Sequence, residues 1–290
     1  MIPKSWSKEY KESMFEELAK DYVEEQATEE VKITPINDLT VKALARLDKV
    51  GLDGLSTGHD KLDKATDGFS NGELIVVSGA TSHGKTQFVQ TIILNMALNN
   101  IPTLFFSLEM PSVETTIRFM RMVKTKVKGD VIKDLPIYYF GGDQVNLQLL
   151  EEYIKQAVSQ GIKFIVIDHL HFFCRMAEGQ SVELGIITRT IKMLAIKYNI
   201  PICLLSHITK LYNTEKIPEL DHLNGSSFIS QDADTVIMVW RDMNSTDKEP
   251  EVIAKIRKNR RTGNLSTIVY RQDNNFYLEE TDEQYSSKSY

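Results

Sequence analysis

Residues 79–86 read Gly79-Ala80-Thr81-Ser82-His83-Gly84-Lys85-Thr86, the pattern G-x-x-x-x-G-K-[ST]. That spacing builds a polyphosphate cradle. Glycines at 79 and 84 let backbone N–H groups close around phosphate oxygens at the positive end of a following helix. Lys85 would reach the β and γ phosphates, and Thr86 would hold a magnesium ion. Gln87 completes the stretch expected to line the nucleotide. Hydrolysis needs two further groups, an acid on the metal's side and one that orients the attacking water. Phe164-Ile165-Val166-Ile167-Asp168 is an apolar run ending in an aspartate, which would stand at the carboxyl edge of a buried strand as the metal-side acid. Leu104-Phe105-Phe106-Ser107-Leu108-Glu109 ends in a glutamate that could polarise water from the same edge, as catalytic base. Taken singly, either acid could merely open a polar loop after a buried strand.

Such a loop works only between a strand and a helix. Glu73–Ser78 is β-branched and of strand length, and Gln87–Leu98 places Phe88, Ile92, Leu94 and Met96 near helical spacing. Further strand-like runs fall at Thr103–Ser107, Ile137–Phe140, Phe164–Asp168, Ile202–Ser206 and Thr235–Trp240. Helical patterns at Gln87–Asn99, Val113–Val123, Leu147–Gln160 and Leu184–Tyr198 alternate with them. Alternation of this kind predicts an α/β fold, a parallel-rich central sheet with helices on both faces. Val252–Arg257 and Ser266–Tyr270 flank a basic, glycine-containing segment and read as a hairpin. We expect this core to span residues 51–278. Before it, residues 1–50 read as a helical extension: Tyr10, Met14, Phe15, Leu18, Tyr22 and Val23 form one narrow apolar stripe, Thr34-Pro35 breaks it, and a short helical pattern through Leu44 and Leu47 stops at Gly51. Residues 279–290 form an acidic, polar tail that is expected to fray.

Composition bounds the partners. With 290 residues, 42% hydrophobic content, 26% charged residues and a net charge of -6, the chain can bury a large core but carries no global basic field, so nucleic acid must be met by local patches. Cys174 and Cys203 have neither metal-ligand nor disulfide spacing, which fits a reducing compartment. No apolar stretch approaches a membrane span, and Met1–Phe15 lacks the apolar middle of a signal peptide, so a cytoplasmic protein is expected. His169 and His171 could pair with His207 on a metal, but no acid or cysteine cluster accompanies them, and no transition-metal site is expected.

The motifs also match a known pattern. Ser107-Leu108-Glu109-Met110-Pro111-Ser112 followed by Arg118 resembles the "F-S-L-E-M" segment of replicative hexameric DNA helicases of the DnaB type. Thr57-Gly58 with Leu62-Asp63 resembles the same family's approach to the phosphate loop. Ile167-Asp168-His169-Leu170 is similar to its "I-D-Y-L", Ile191 to Ala195 to its "L-K-x-L-A", and Pro201–His207 to its strand ending in Ser-Gln. Leu223-Asn224-Gly225-Ser226, Gln231-Asp232-Ala233-Asp234 and Arg241-Asp242 resemble its closing motifs, in a form nearer phage and mitochondrial members. The match runs in order from Leu55 to Leu278.

The resemblance implies a RecA-like core that binds ATP and Mg2+, with Glu109 as base, Thr86 and Asp168 on the metal, and His207 as a sensor of the γ-phosphate. Lys258-Asn259-Arg260 followed by Gly263 resembles the family's K-N-R-x-G hairpin with one extra residue. That implies Arg260, with Lys258, entering the neighbouring subunit's nucleotide site, although Lys255-x-Arg257 offers a competing pair. A site completed across an interface implies a head-to-tail homo-oligomer, here a hexameric ring. The N-terminal stripe would then dock on an adjacent subunit or pack on its own domain. The implied activity is 5′ to 3′ translocation on single-stranded DNA with duplex separation, and the implied partners are a primase, polymerase or helicase loader. Single-stranded DNA is expected along Arg175–Ser181 and Lys210–Ser226, through Lys210, Lys216, Asn224, Gly225 and Ser226. Two other readings stand beside it: a recombination or clock-type RecA-like ATPase that assembles without unwinding, and a nucleotide-dependent scaffold ring. Nothing is long enough for the N-terminal helical domain or fused primase of many members, and the segment Val123–Pro136 is short, so a minimal phage or viral version is expected.

Overall fold

Strand β1 (Leu74–Gly79) is six consecutive buried residues, and the reason is topological: it lies mid-sheet with helices over both faces, so neither face can be polar. In this computed structural model the described residues are 35–36, 40–47, 51–127, 134–140, 146–173, 180–208, 217–223, 226–243 and 250–283. The chain divides into two units, Met1–Val50 and Gly51–Tyr290. In the first, helix α1 spans Thr40–Leu47. The apolar stripe expected between Tyr10 and Val23 lies outside the described residues.

The second unit opens with α2 (Asp60–Thr66), then β1, and continues through α3 (Lys85–Leu98), β2 (Thr103–Ser107), α4 (Ser112–Lys126), β3 (Ile137–Phe140), α5 (Leu147–Ser159), β4 (Phe164–Asp168), α6 (Gln180–Lys197), β5 (Ile202–His207), α7 (Ser226–Asp232), β6 (Thr235–Arg241), β7 (Glu251–Asn259), β8 (Thr267–Gln272) and β9 (Leu278–Glu280). The nine strands form one sheet in the order β3-β2-β4-β5-β1-β6-β7-β8-β9. From β3 to β6 neighbours are parallel; β7, β8 and β9 add antiparallel. The expected parallel-rich core and terminal hairpin are thus both present.

Alternation along β1 divides the core into two layers. Ile75 and Val77 face one layer with Phe88, Ile92 and Met96 of α3 and Phe119 and Met122 of α4. Leu74 and Val76 face the other, with Ile154 of α5 and Leu184, Ile191 and Leu194 of α6. Helix α3 is buried almost all round, since α4 and the β7–β9 extension wrap its outer side.

Residues 279–283 correct the expectation of a frayed tail. Leu278–Glu280 is a strand, and the Glu280 carboxylate accepts the N–H groups of Lys61 (2.9 Å) and Leu62 (3.1 Å) in the first turn of α2. The acid at Glu280 serves as a helix-start acceptor, while Glu279, Asp282 and Glu283 stay exposed. Helix α2 itself was absent from the expected elements, because seven residues hold less than two turns of periodicity.

Candidate active site

Parallel pairing brings the ends of four strands to one edge. Gly79 lies beside His207, and Ser107 beside Asp168. The loops leaving β1, β2, β4 and β5 therefore share the carboxyl edge of the sheet, next to the point where chain order reverses about β1.

At the phosphate loop the two framing glycines have different reasons. Gly84, at φ 93°, is the N-cap of α3 and takes a left-handed conformation that L side chains rarely adopt. At Gly79, a Cβ would lie 2.2 Å from the Val239 carbonyl oxygen, so this glycine is required where β1 packs on β6. Ser82 also has positive φ, at 66°. His83 is buried; its Nδ1 accepts the Arg241 N–H at 3.2 Å and its ring leans on Trp240. Burial, then the charges of Lys85 and Arg241, holds its pKa low, so it stays a neutral acceptor that ties the loop to β6. Gln87 turns to the β8–β9 connection, donating to the Phe276 carbonyl at 2.8 Å. Upstream, Asp63 of α2 accepts from Ser56 Oγ, Thr57 N–H and Thr57 Oγ1 at 2.6, 2.8 and 2.7 Å, fixing the approach segment against α2.

The charged centre is compact. Thr86 Oγ1 donates to Asp168 Oδ2 at 2.9 Å, and Lys85 Nζ donates to the Ala80 carbonyl at 2.9 Å. Asp168 is buried, and burial raises its carboxyl to about 6 against the opposing bond from Thr86; Glu109 adds to the rise. Lys85 is lowered to about 8 by burial, while the charges of Asp168 and Glu109 push the other way. Glu109 is exposed at the head of the β2–α4 loop. That loop is pinned at three points: Leu108 N–H donates to the Asp168 carbonyl at 2.8 Å, Ser107 Oγ to the Met110 carbonyl at 3.2 Å, and Tyr139 OH to the same Met110 carbonyl at 2.9 Å. Thr86 and Asp168 present hard oxygen donors, which fit magnesium, and the loop's helix start fits a polyphosphate.

The chain belongs to the DnaB-like helicase C-terminal domain family. Its profile matches residues 54–134 and 121–277. A probable replicative DNA helicase of Trieres chinensis is 31% identical over 257 residues, covering 78% of this chain and 56% of that protein. The replicative DNA helicase DnaB of Pasteurella multocida is 29% identical over 252 residues, covering 74% and 54%. The chain thus spans about half the length of these relatives. A solved structure of a DnaB-like replicative helicase and its interactions with primase superposes with a TM-score of 0.74 at 20% identity, covering 90% of this chain and 71% of that one.

The DnaB-like motifs separate spatially into two groups. Lys85, Thr86, Glu109, Asp168 and His207 share the carboxyl edge. Lys258 and Arg260 lie at the opposite, amino edge, because β7 runs antiparallel and pairs Asn259 with Thr235 at the start of β6. There Lys258 donates to the carbonyls of Ser230, Gln231 and Ala233, and Arg260 meets Asp234 at 3.4 Å. The competing pair is held elsewhere: Lys255 lies 3.3 Å from Glu219, which Arg257 also contacts. Arg261 is tied to Asp53 and Asp67, each at 3.2 Å.

The sequence reading found no acid beside these histidines, and the fold supplies one. Glu109, on a separate strand end, comes together with His169 and His207, with ligand atoms within 4.8 Å of one another. The acid that sequence spacing did not supply arrives by parallel pairing of β2 with β4. Tyr139 and Arg118 were also missed as site residues; Arg118's charge bears on Asp168, and Tyr139 comes from β3, whose sequence carries no chemical pattern. Lys210, Lys216, Asn224 and Gly225 lie outside the described residues, as does 174–179; Ser226 is the first residue of α7. No helix among the described residues is long and apolar enough to cross a membrane.

Proposed function

We propose that this chain is the motor of a replicative DNA helicase: a head-to-tail hexameric ring that hydrolyses ATP, moves along single-stranded DNA and separates a duplex. The observation that carries this reading is the division of catalytic groups between opposite edges of one sheet. Lys85, Thr86, Asp168 and Glu109 meet at the carboxyl edge, and Arg260 stands at the amino edge, beyond reach of its own phosphate loop. A stacked neighbour would bring the two edges together, which makes the ring a condition of turnover.

In each site the loop's backbone N–H groups and Lys85 bind and orient the β and γ phosphates. Thr86 and Asp168 would hold Mg2+, which neutralises phosphate charge when bound. Glu109 accepts a proton from the attacking water, and the neighbour's Arg260 meets the charge developing on the transferred phosphoryl group. His207 would report loss of γ-phosphate to the segment after β5, where we put the DNA contacts Lys210, Lys216, Asn224, Gly225 and Ser226; its register pairing with Gly79 supports that role. A soluble replicative motor of this kind would act in the cytoplasm, with a primase, polymerase or loader as partners.

Strand displacement on a forked DNA substrate tests this reading. ATP-dependent release of one strand by the assembled protein is the expected result. DNA-stimulated ATP hydrolysis without displacement would instead favour a recombination-type ATPase, and assembly with negligible turnover would favour a scaffold.

A further inference from the structure

Two kinds of donor meet at the carboxyl edge. Thr86 and Asp168 offer only oxygen, whereas Glu109, His169 and His207 offer one carboxylate and two imidazoles. Asp168 and His169 are consecutive at the end of β4, yet Asp168 accepts from Thr86 while the His169 ring packs edge-on against His207 at 4.4 Å between centroids. The two donor sets therefore diverge from a single strand end. Magnesium selects oxygen donors and octahedral geometry; two imidazoles with a carboxylate select zinc and its neighbours in the transition series.

We propose that Glu109, His169 and His207 form a binding site for a divalent ion of the zinc class, separate from the Thr86–Asp168 magnesium position, and that its occupancy stops hydrolysis. The geometry asks little. Ligand atoms about 2.0–2.2 Å from a tetrahedral zinc ion stand roughly 3.3 Å apart, and the three groups already lie within 4.8 Å of one another. Glu109 is exposed and the two histidines are partly so, so rotation about side-chain bonds closes the difference and an ion can enter from solvent. Three protein ligands leave a fourth position for water or a γ-phosphate oxygen. A carboxylate whose lone pair is committed to a metal no longer takes a proton from water, so a bound ion competes directly with the role given to Glu109. This inhibitory consequence rests on the proposed function; the site itself does not.

The test is zinc chloride titrated into the full chain without nucleotide, read by competition with a chromophoric chelator. One ion per subunit is expected. His169→Phe and His207→Gln should each weaken binding about tenfold or more, whereas Lys85→Ala, which removes a nearby cation, should not weaken it and Asp168→Asn should weaken it less than either histidine change. Unaltered affinity in both histidine variants, or loss in Asp168→Asn alone, overturns the proposal. Cobalt on the unaltered chain supplies a check that needs no variant: intense visible bands of a low-coordinate site with nitrogen ligands are expected, and the weak spectrum of an all-oxygen octahedral ion would refute it. Turnover under saturating Mg-ATP should fall with zinc and return with chelator. Zinc bound as expected with turnover unaffected would uphold the site and remove Glu109 from the role of base.

Discussion

At the carboxyl edge of the sheet, Lys85, Asp168 and Glu109 lie within one another's electrostatic reach, yet burial still moves Lys85 down to about 8 and Asp168 up to about 6. At the amino edge, Lys192 sits 2.6 Å from Asp234, Asp234 also accepts the Leu74 N–H at 2.8 Å, and Arg261 spans Asp53 and Asp67. Glu73, raised by burial, is the exception there, and bonds from Thr235 and Ser70 counter the shift. The same charge content thus has two uses. Where opposite charges close on each other, the edge is scaffold. Where burial outweighs the partners present, a charged ligand gains most by binding. Arg260 is the odd member of the closed edge, with its side chain 51% exposed against 22% for Arg261.

Those two adjacent arginines give the largest expected contrast. Arg260→Ala should cut ATP turnover about a thousandfold and leave folding intact, since Lys192 continues to hold Asp234. Arg261→Ala should instead cost about 2 kcal/mol of stability, seen as a lower denaturation midpoint, with turnover per folded subunit near that of the unaltered protein. Mixed Arg260→Ala and Glu109→Gln subunits should recover activity that neither has alone, because some sites then hold both groups. Absence of recovery in subunits shown to mix would return the finger to the same chain or to Lys255 and Arg257.

The carboxyl edge should break in a more graded way. Glu109→Gln should lower turnover about a hundredfold or more while nucleotide binding persists. Lys85→Ala should lose nucleotide binding itself. Normal hydrolysis by Glu109→Gln would place the base elsewhere, and equal loss of binding in both variants would erase the distinction between holding phosphate and activating water.

Much of this site was legible because each candidate acid stands at or just past the carboxyl end of a buried parallel strand. A strand covered on both faces is dominated by apolar residues, so the first acid marks the edge: Asp168 as the last residue of β4 and Glu109 just beyond β2. The fold's alternation was legible for the same reason. What could not be read is lateral. Nothing in the order of residues says that β2 lies between β3 and β4, and without that neither Tyr139's hold on Met110 nor the grouping of Glu109 with His169 and His207 follows. Polar strand partners, such as Glu280 on the start of α2, are invisible for a related reason: their meaning depends on an element more than two hundred residues away.

The two shifted groups predict a pH signature. Asp168 has a folded pKa near 6, raised from 3.8, so its contribution to stability is present below 3.8 and lost as pH rises through about 6. Lys85 is lowered from 10.5 to about 8, so its contribution is present above 10.5 and lost as pH falls through about 8. Between pH 6 and 8 both are charged against their burial, and a ligand that pairs them should stabilise most there. The rise in melting temperature with Mg2+ and a non-hydrolysable ATP analogue should peak in that window. Below pH 6 magnesium affinity should drop about tenfold per unit as Asp168 takes up a proton, and Asp168→Asn should flatten the dependence. A magnesium affinity flat from pH 5 to 7 in the unaltered protein would remove Asp168 from the metal.

The smallest effect is expected at Tyr139, which acts on the site only through the loop that carries Glu109. Its hydroxyl donates to the Met110 carbonyl at 2.9 Å, one of three ties on that loop, so Tyr139→Phe removes one tether and leaves the ring packed. A hydrogen bond of this kind contributes about 0.5–1.5 kcal/mol, which sets the loss in kcat at roughly two- to tenfold. KM for ATP should stay put, because the phosphate loop and Lys85 are untouched. A merely structural role would move stability and both constants alike. The deciding measurement is the double variant: on a Glu109→Gln background, Tyr139→Phe should add nothing further, since a positioning residue has no effect once the group it positions is gone. A full additional loss in that background would mean that Tyr139 supports some other group at the carboxyl edge, with Asp168, whose carbonyl holds Leu108 in the same loop, the first to examine.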